Sequence, residues 1–230
     1  MKTVISNTEE LSDKAAAQVK ELLAEKPEAV LALSAGEDCV RLYERIAQMQ
    51  RAGEISFSRA KFFAVTEFCG EEHSVKSRLT EAFLRPVDAD RNNCFFLTEK
   101  NLEQYDEMLS ASGGIDLALL DIGLNARIGF NEPATPFDSL SHRQKLSDSS
   151  RRELSPFFGT EEKVPEYGLT MGIKTLVSAR NILLLASGES RAEPVFNMLY
   201  GRNDSFVPAA FLQIPLNVTV YLDGASAQKL

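Results

Sequence analysis

Apolar residues in this chain fall into two alternating rhythms, and that alternation is its strongest fold signal. Between residues 8 and 25, Leu11, Ala15, Val19, Leu22 and Leu23 recur at helical spacing, with Asn7 or Thr8 placed to cap the start and Pro27 to close the end. Short runs of apolar residues then alternate with further helical segments. Ala29 to Leu33, Lys61 to Val65, Cys94 to Leu97, Ile115 to Leu120, Ile182 to Ala186 and Val218 to Leu222 read as strands. Val40 to Met49, Val75 to Leu84, Leu102 to Leu109, Leu176 to Ala179 and Ala192 to Tyr200 read as helices or parts of them. Strands alternating with helices imply a mostly parallel sheet covered on both faces. One α/β domain spanning residues 1–230 is expected. Only residues 131–163, rich in Ser, Arg, Glu and Pro, break the rhythm, and they read as a long irregular loop, a lid or binding loop.

Composition narrows the function. A chain of 230 residues with 44% hydrophobic content can bury a substantial core. The net charge of −8, with no dense Lys/Arg stripe, argues against nucleic acid as a partner. No stretch has the length of a signal peptide's apolar core or of a membrane span, so a cytoplasmic protein without membrane attachment is expected. Cys39, Cys69 and Cys94 are odd in number and lack metal-type spacing, which argues against a disulfide framework or a zinc site. They read as small apolar fillers, with a reactive thiol as the alternative for Cys69. No metal or cofactor is implied.

Four polar loops follow strands, and in an open parallel sheet such loops converge on one crevice. In Ser34-Ala-Gly-Glu-Asp38, Gly36 allows close backbone approach and the following helix start offers free N–H groups. Asp38 capping that helix, with Glu37 beside its first turn, is the alternative that needs no ligand. In Val65-Thr-Glu-Phe-Cys-Gly70, Glu67 is a carboxylate suited to general-base work or to a structural hydrogen bond. Asp121 to Pro133 holds Arg127 and Glu132, a plausible ion pair. Ser187-Gly-Glu-Ser-Arg191 ends on an arginine whose planar fork suits a phosphate.

Asp121-Ile-Gly-Leu-Asn-Ala-Arg-Ile-Gly-Phe-Asn-Glu-Pro133 resembles the signature of the glucosamine-6-phosphate deaminases and galactosamine-6-phosphate isomerases, Gly-x-Gly-x-Asp-Gly-His-(Ile/Leu)-(Ala/Gly)-(Phe/Leu)-Asn-Glu-Pro. Val164-Pro-Glu-Tyr-Gly-Leu-Thr-Met-Gly172 and Val207-Pro-Ala-Ala-Phe-Leu212 resemble further motifs of that family, so the likeness runs along nearly the whole chain. It implies a Rossmann-like sheet, a small-molecule sugar phosphate as partner and a homo-oligomer.

It also implies where the family's chemistry falls. Thr66 stands at the position of the general base, and Asn125 and Arg127 stand at the Asp and His of the proton relay, of which Glu132 alone is kept. Asn cannot accept a proton and Arg stays protonated at working pH, so neither can relay one. Ser34, Gly36 and Arg191 match the phosphate contacts, while a second basic position falls on Pro156, with Arg151 and Arg152 close by. His73 and His142 read as surface histidines. The resulting expectation is an amino-sugar-phosphate isomerase or deaminase with an altered catalytic set, in which Glu67 or Glu132 moves the proton. The alternative is a catalytically inactive sugar-phosphate-binding or regulatory homologue. A hydrolase like 6-phosphogluconolactonase fits less well, because that branch also uses the His replaced by Arg127. Geometry separates the first two: Glu67 and Glu132 facing one pocket with Arg191 supports the isomerase, and Glu37 and Arg127 filling that pocket blocks it.

Overall fold

The structure, a computed structural model, describes residues 1–70 and 75–230. Seven strands build one fully parallel sheet: β1 (Lys2–Ile5), β2 (Val30–Leu33), β3 (Lys61–Ala64), β5 (Cys94–Phe95), β6 (Leu117–Asp121), β9 (Asn181–Ala186) and β10 (Val218–Leu222). Their order is β1-β10-β9-β6-β2-β3-β5. Alternation along the central strands fills both faces. Leu31, Leu33, Leu117, Leu119, Leu183 and Leu185 enter one core, while Val30, Ala32, Ala118, Leu120, Ile182 and Leu184 enter the other.

Helices α1 (Thr8–Glu25), α2 (Glu37–Arg51) and α3 (Val75–Leu79) cover the first face. Helices α4 (Tyr105–Ala111), α6 (Ile173–Val177) and α7 (Ala192–Tyr200) cover the second. Asn7 supplies the cap of α1, accepting from the Glu10 N–H at 2.9 Å. The helix expected over residues 75–84 is α3 followed by a wider turn at Thr80–Leu84. Gly36, and not Asp38, occupies the cap position of α2, so the capping role considered for Asp38 is corrected.

Residues 131–163 are not one irregular loop. They contain β7 (His142–Lys145) and α5 (Asp148–Phe158). Strand β7 pairs antiparallel with β8 (Tyr167–Thr170), which pairs in turn with β4 (Thr66–Phe68), giving a small second sheet beside the large one. Helix α5 tolerates Pro156 because the Arg152 carbonyl, which loses its usual N–H partner there, accepts from Ser155 Oγ at 2.8 Å. Leu154, Phe157 and Phe158 then seat α5 on the first core.

The sheet order places the functional crevice. From β2 the chain runs outward through β3 to β5, and it returns to the other side of β2 with β6. The loops after β2 and β6 therefore diverge at a switch point, where open α/β sheets bind ligands.

Candidate functional site

At that switch point the loops after β2 and β6 nearly touch. A Cβ on Gly36 would lie 2.0 Å from Asp121 Oδ2, so any larger residue at 36 would have to displace that carboxylate. A cavity of about 60 Å³ opens here among Ser34, Gly36, Thr66, Asp121, Gly129 and Arg127, with Phe68, Phe130 and Phe157 as apolar walls. The sequence-expected residues Ser34, Gly36, Thr66 and Arg127 thus come together. Asn125, Glu67, Glu132 and Arg191 do not line this cavity.

Glu67 faces the other way, as alternation along β4 dictates. Its carboxylate accepts from the backbone N–H groups of Phe68 (2.9 Å), Val75 (2.7 Å) and Lys76 (2.9 Å), closing the start of α3. Burial pushes its acid up from the ordinary value, and the three N–H donors with Lys76 oppose that rise. This is a structural hydrogen-bond hub. Replacing Glu67 by alanine is expected to remove about 1–3 kcal/mol of stability, because buried N–H groups lose their acceptor. Urea unfolding measures it; unchanged stability would contradict the structural role.

Glu132 is a second hub. It accepts from Asn125 Nδ2 at 2.6 Å, Ser147 Oγ at 3.0 Å and the Ser147 N–H at 3.2 Å, tying the signature loop to the cap of α5. The expected Arg127 to Glu132 ion pair is absent. Arg127, 6% exposed, instead donates to Ser150 Oγ at 3.1 Å, the Gly129 carbonyl at 2.6 Å and Glu153 Oε2 at 3.3 Å. Two local features set this path. A Cβ on Gly123 would come 2.4 Å from Arg127 Cγ, and Ala126 holds a positive φ of 61°, a strained turn between Asn125 and Arg127.

Arg191 converges on the same carboxylate, donating to Glu153 Oε1 at 2.6 Å, and the Leu124 N–H donates to Oε2 at 3.0 Å. Burial raises the Glu153 acid, but Arg127 and Arg191 outweigh it and hold the carboxyl below its ordinary value. The loop N–H groups near Arg191 are engaged in the same fashion. Ser187 donates its N–H to Asp38 at 3.1 Å and its hydroxyl to the other oxygen of Asp38, and the Gly188 N–H is shared by both oxygens of Asp223 at 3.1 Å. Carboxylates of the chain itself occupy positions that suit an external anion.

Three site residues escaped the sequence reading: Asp121, Ser147 and Glu153. Asp121 stands at the first glycine of the signature pattern, a visible departure. Ser147 and Glu153 lay within the stretch read as loop. Of the remaining chemistry-bearing residues, His142 sits half-buried on β7 with Nδ1 2.8 Å from the Leu140 carbonyl, and His73 lies outside the described residues. Cys39 is fully buried in the core, and burial raises the Cys69 thiol, against the reactive alternative. Among the described residues no trio of His, Cys, Asp or Glu is placed to hold a metal, and no helix is long and apolar enough to cross a membrane.

Comparison with known proteins decides the family. Residues 6–220 match the model of the glucosamine-6-phosphate isomerases/6-phosphogluconolactonase family. This chain belongs to that family. It is 36% identical over 239 residues to a glucosamine-6-phosphate deaminase of Clostridium tetani, covering 99% of each chain. It is 33% identical over 234 residues to one of Mycoplasma mycoides, covering 99% of this chain and 96% of that one. Among solved structures it superposes on a monomeric glucosamine-6-phosphate deaminase with a TM-score of 0.96 at 32% identity, over the full length of both. The 6-phosphogluconolactonase of Thermotoga maritima shares the fold, with a TM-score of 0.75 at 21% identity, covering 96% of this chain and 99% of that one. The chain thus shares the architecture of the glucosamine-6-phosphate deaminases it resembles over its full length.

Proposed function

We propose that this family member binds a 6-phosphorylated amino sugar in the crevice between β2 and β6 and does not release ammonia from it by the relatives' route. The observation that supports this reading is the Arg127, Glu153 and Arg191 cluster, in which two guanidinium groups converge on one carboxylate beside the cavity. A phosphate presents the same kind of acceptor oxygens to the same forks. The cavity of about 60 Å³ holds a few waters, whereas pockets for drug-sized molecules run to about 300–1,000 Å³. Binding therefore requires Glu153 to leave the two arginines and α5 to shift outward. Thr66, Asn125 and Arg127 cannot exchange a proton near neutral pH, and Glu67 and Glu132 are held by hydrogen bonds away from the cavity. That combination favours recognition over the usual turnover.

Thermal-shift titration with glucosamine-, galactosamine-, fructose- and tagatose-6-phosphates tests this, with ammonia and ketose followed on the same samples. Stabilisation without turnover is the expected result. Stabilisation with turnover at the relatives' rate would favour the altered isomerase, and no shift with any of the four would remove the sugar-phosphate reading. Sedimentation velocity tests the homo-oligomer that the family resemblance implies. A cytoplasmic location fits a metabolic ligand of this class.

A further inference from the structure

Asp121 brings into the crevice a carboxylate that no hydrogen bond holds among the described residues. Among the described residues it accepts no hydrogen bond and makes no ion pair, although it ends β6 at the wall of the cavity. Ser34, 3% exposed, lines the same cavity with its Oγ buried and without a partner. The surrounding charges offset this only in part. Glu37 and Asp38 add negative charge on α2, and Arg78, stacked over the Phe157 ring at 3.9 Å, attracts Asp121 and Glu37 without closing an ion pair with either. Arg127 turns its donors to Ser150, Gly129 and Glu153. Buried or half-buried polar groups without partners are costly, and in native structures such groups are matched by something bound.

The crevice is therefore polarised. Arg127 and Arg191 outnumber Glu153 at one end, while Asp121, Glu37 and Asp38 outnumber Arg41 and Arg78 at the other. We infer that Asp121 and Ser34 form the subsite for a protonated primary amine of the ligand, so that Asp121 sets a preference for an amino-sugar phosphate over the neutral sugar phosphate. An ammonium brings three donors, enough for both carboxylate oxygens and the serine hydroxyl. The assignment rests on the proposed binding of sugar phosphates at this site and names the group that discriminates among them.

Isothermal titration of glucosamine 6-phosphate and glucose 6-phosphate, below the pKa of the amine, tests it. The native protein is expected to favour the amino sugar by about ten- to a hundredfold, the range that a hydrogen-bonded charge contributes. Asp121→Asn should bring that ratio to about one. Gly36→Ala, whose Cβ would meet the Asp121 carboxylate, should lower it in the same direction. Asp121→Asn should also unfold at the same or a higher temperature than the native protein, since it removes a charge that repels Asp38 and that no hydrogen bond holds among the described residues. Equal binding of both sugars by the native protein, or an undiminished preference in Asp121→Asn, would overturn the subsite and leave the sugar-phosphate reading standing. A clear loss of thermal stability in Asp121→Asn would mark the carboxylate as structural and overturn it too. Failure of both sugars to bind would remove the subsite together with the proposed function.

Discussion

Replacing Glu153 by alanine is expected to lower stability by about 3–5 kcal/mol, the cost of leaving a buried cation without its counter-ion. For a chain of this size that corresponds to a fall in the unfolding midpoint of about 6–20 °C. The magnitude follows from burial. Arg127 is almost fully enclosed, with the side chains of Arg127 and Glu153 exposed by only 7% and 11%, so solvent cannot take over the role of the carboxylate. Arg191, at 21%, has more access to water and should tolerate loss of Glu153 better. Acid stability carries the same signature. The two arginines hold the Glu153 carboxyl below its ordinary value of 4.5, so its contribution is fully present above that pH and is lost as pH falls through the lower, folded-state value. Thermal scans from neutral to acid pH should show the native protein losing stability below about 4.5 more steeply than Glu153→Gln. Parallel curves for the two would contradict the cluster as described.

Ammonia release from glucosamine 6-phosphate is expected to run at least about a hundredfold below that of the Clostridium tetani relative assayed beside it, because one general acid or base contributes about two to four orders of magnitude. Threonine, asparagine and arginine stand where the family resemblance puts a base and a relay. Neither retained carboxylate is free to substitute. Glu67 holds three backbone N–H groups at the start of α3, and Glu132 holds Asn125 and Ser147. Recruiting either one would break buried hydrogen bonds before any chemistry began. A coupled assay for ammonia gives the rate. A rate equal to the relative's would show that one of these hubs opens during turnover.

The central strands of the parallel sheet were legible because they are apolar on both faces, whereas the exposed edge strand β1 was not read. Helices such as α7 were equally plain from their 3.6-residue period. The antiparallel strands β7 and β8 were not. His-Arg-Gln-Lys is polar throughout and joins its sheet by backbone pairing, which leaves no hydrophobic pattern to read. Helix α5 carried its signals, with Ser147 as cap, Leu154, Phe157 and Phe158 on one face and Gly159 just beyond the end. Pro156 masked them, and only the structure shows Ser155 answering the carbonyl that proline leaves.

The crevice divides in the same way. Ser34, Gly36, Thr66 and Arg127 line one cavity, in keeping with the rule that loops after parallel strands converge. The partners of Arg127 and Arg191 were out of reach, since Glu153 approaches from a helix hidden in a stretch with no clear period. Asp121 was legible as a departure from the signature's first glycine, yet its lack of a hydrogen bond among the described residues depends on where Arg78 and Arg127 turn, which spacing does not encode.

The central claim is that Glu153 occupies the place of the ligand's phosphate. Its most direct test compares the affinity of glucosamine 6-phosphate for the native protein and for Glu153→Gln, which keeps the side chain's shape while removing its charge. The account predicts about tenfold or tighter binding by the variant, since the phosphate no longer competes with a resident carboxylate for Arg127 and Arg191. Equal or weaker binding by Glu153→Gln would contradict it.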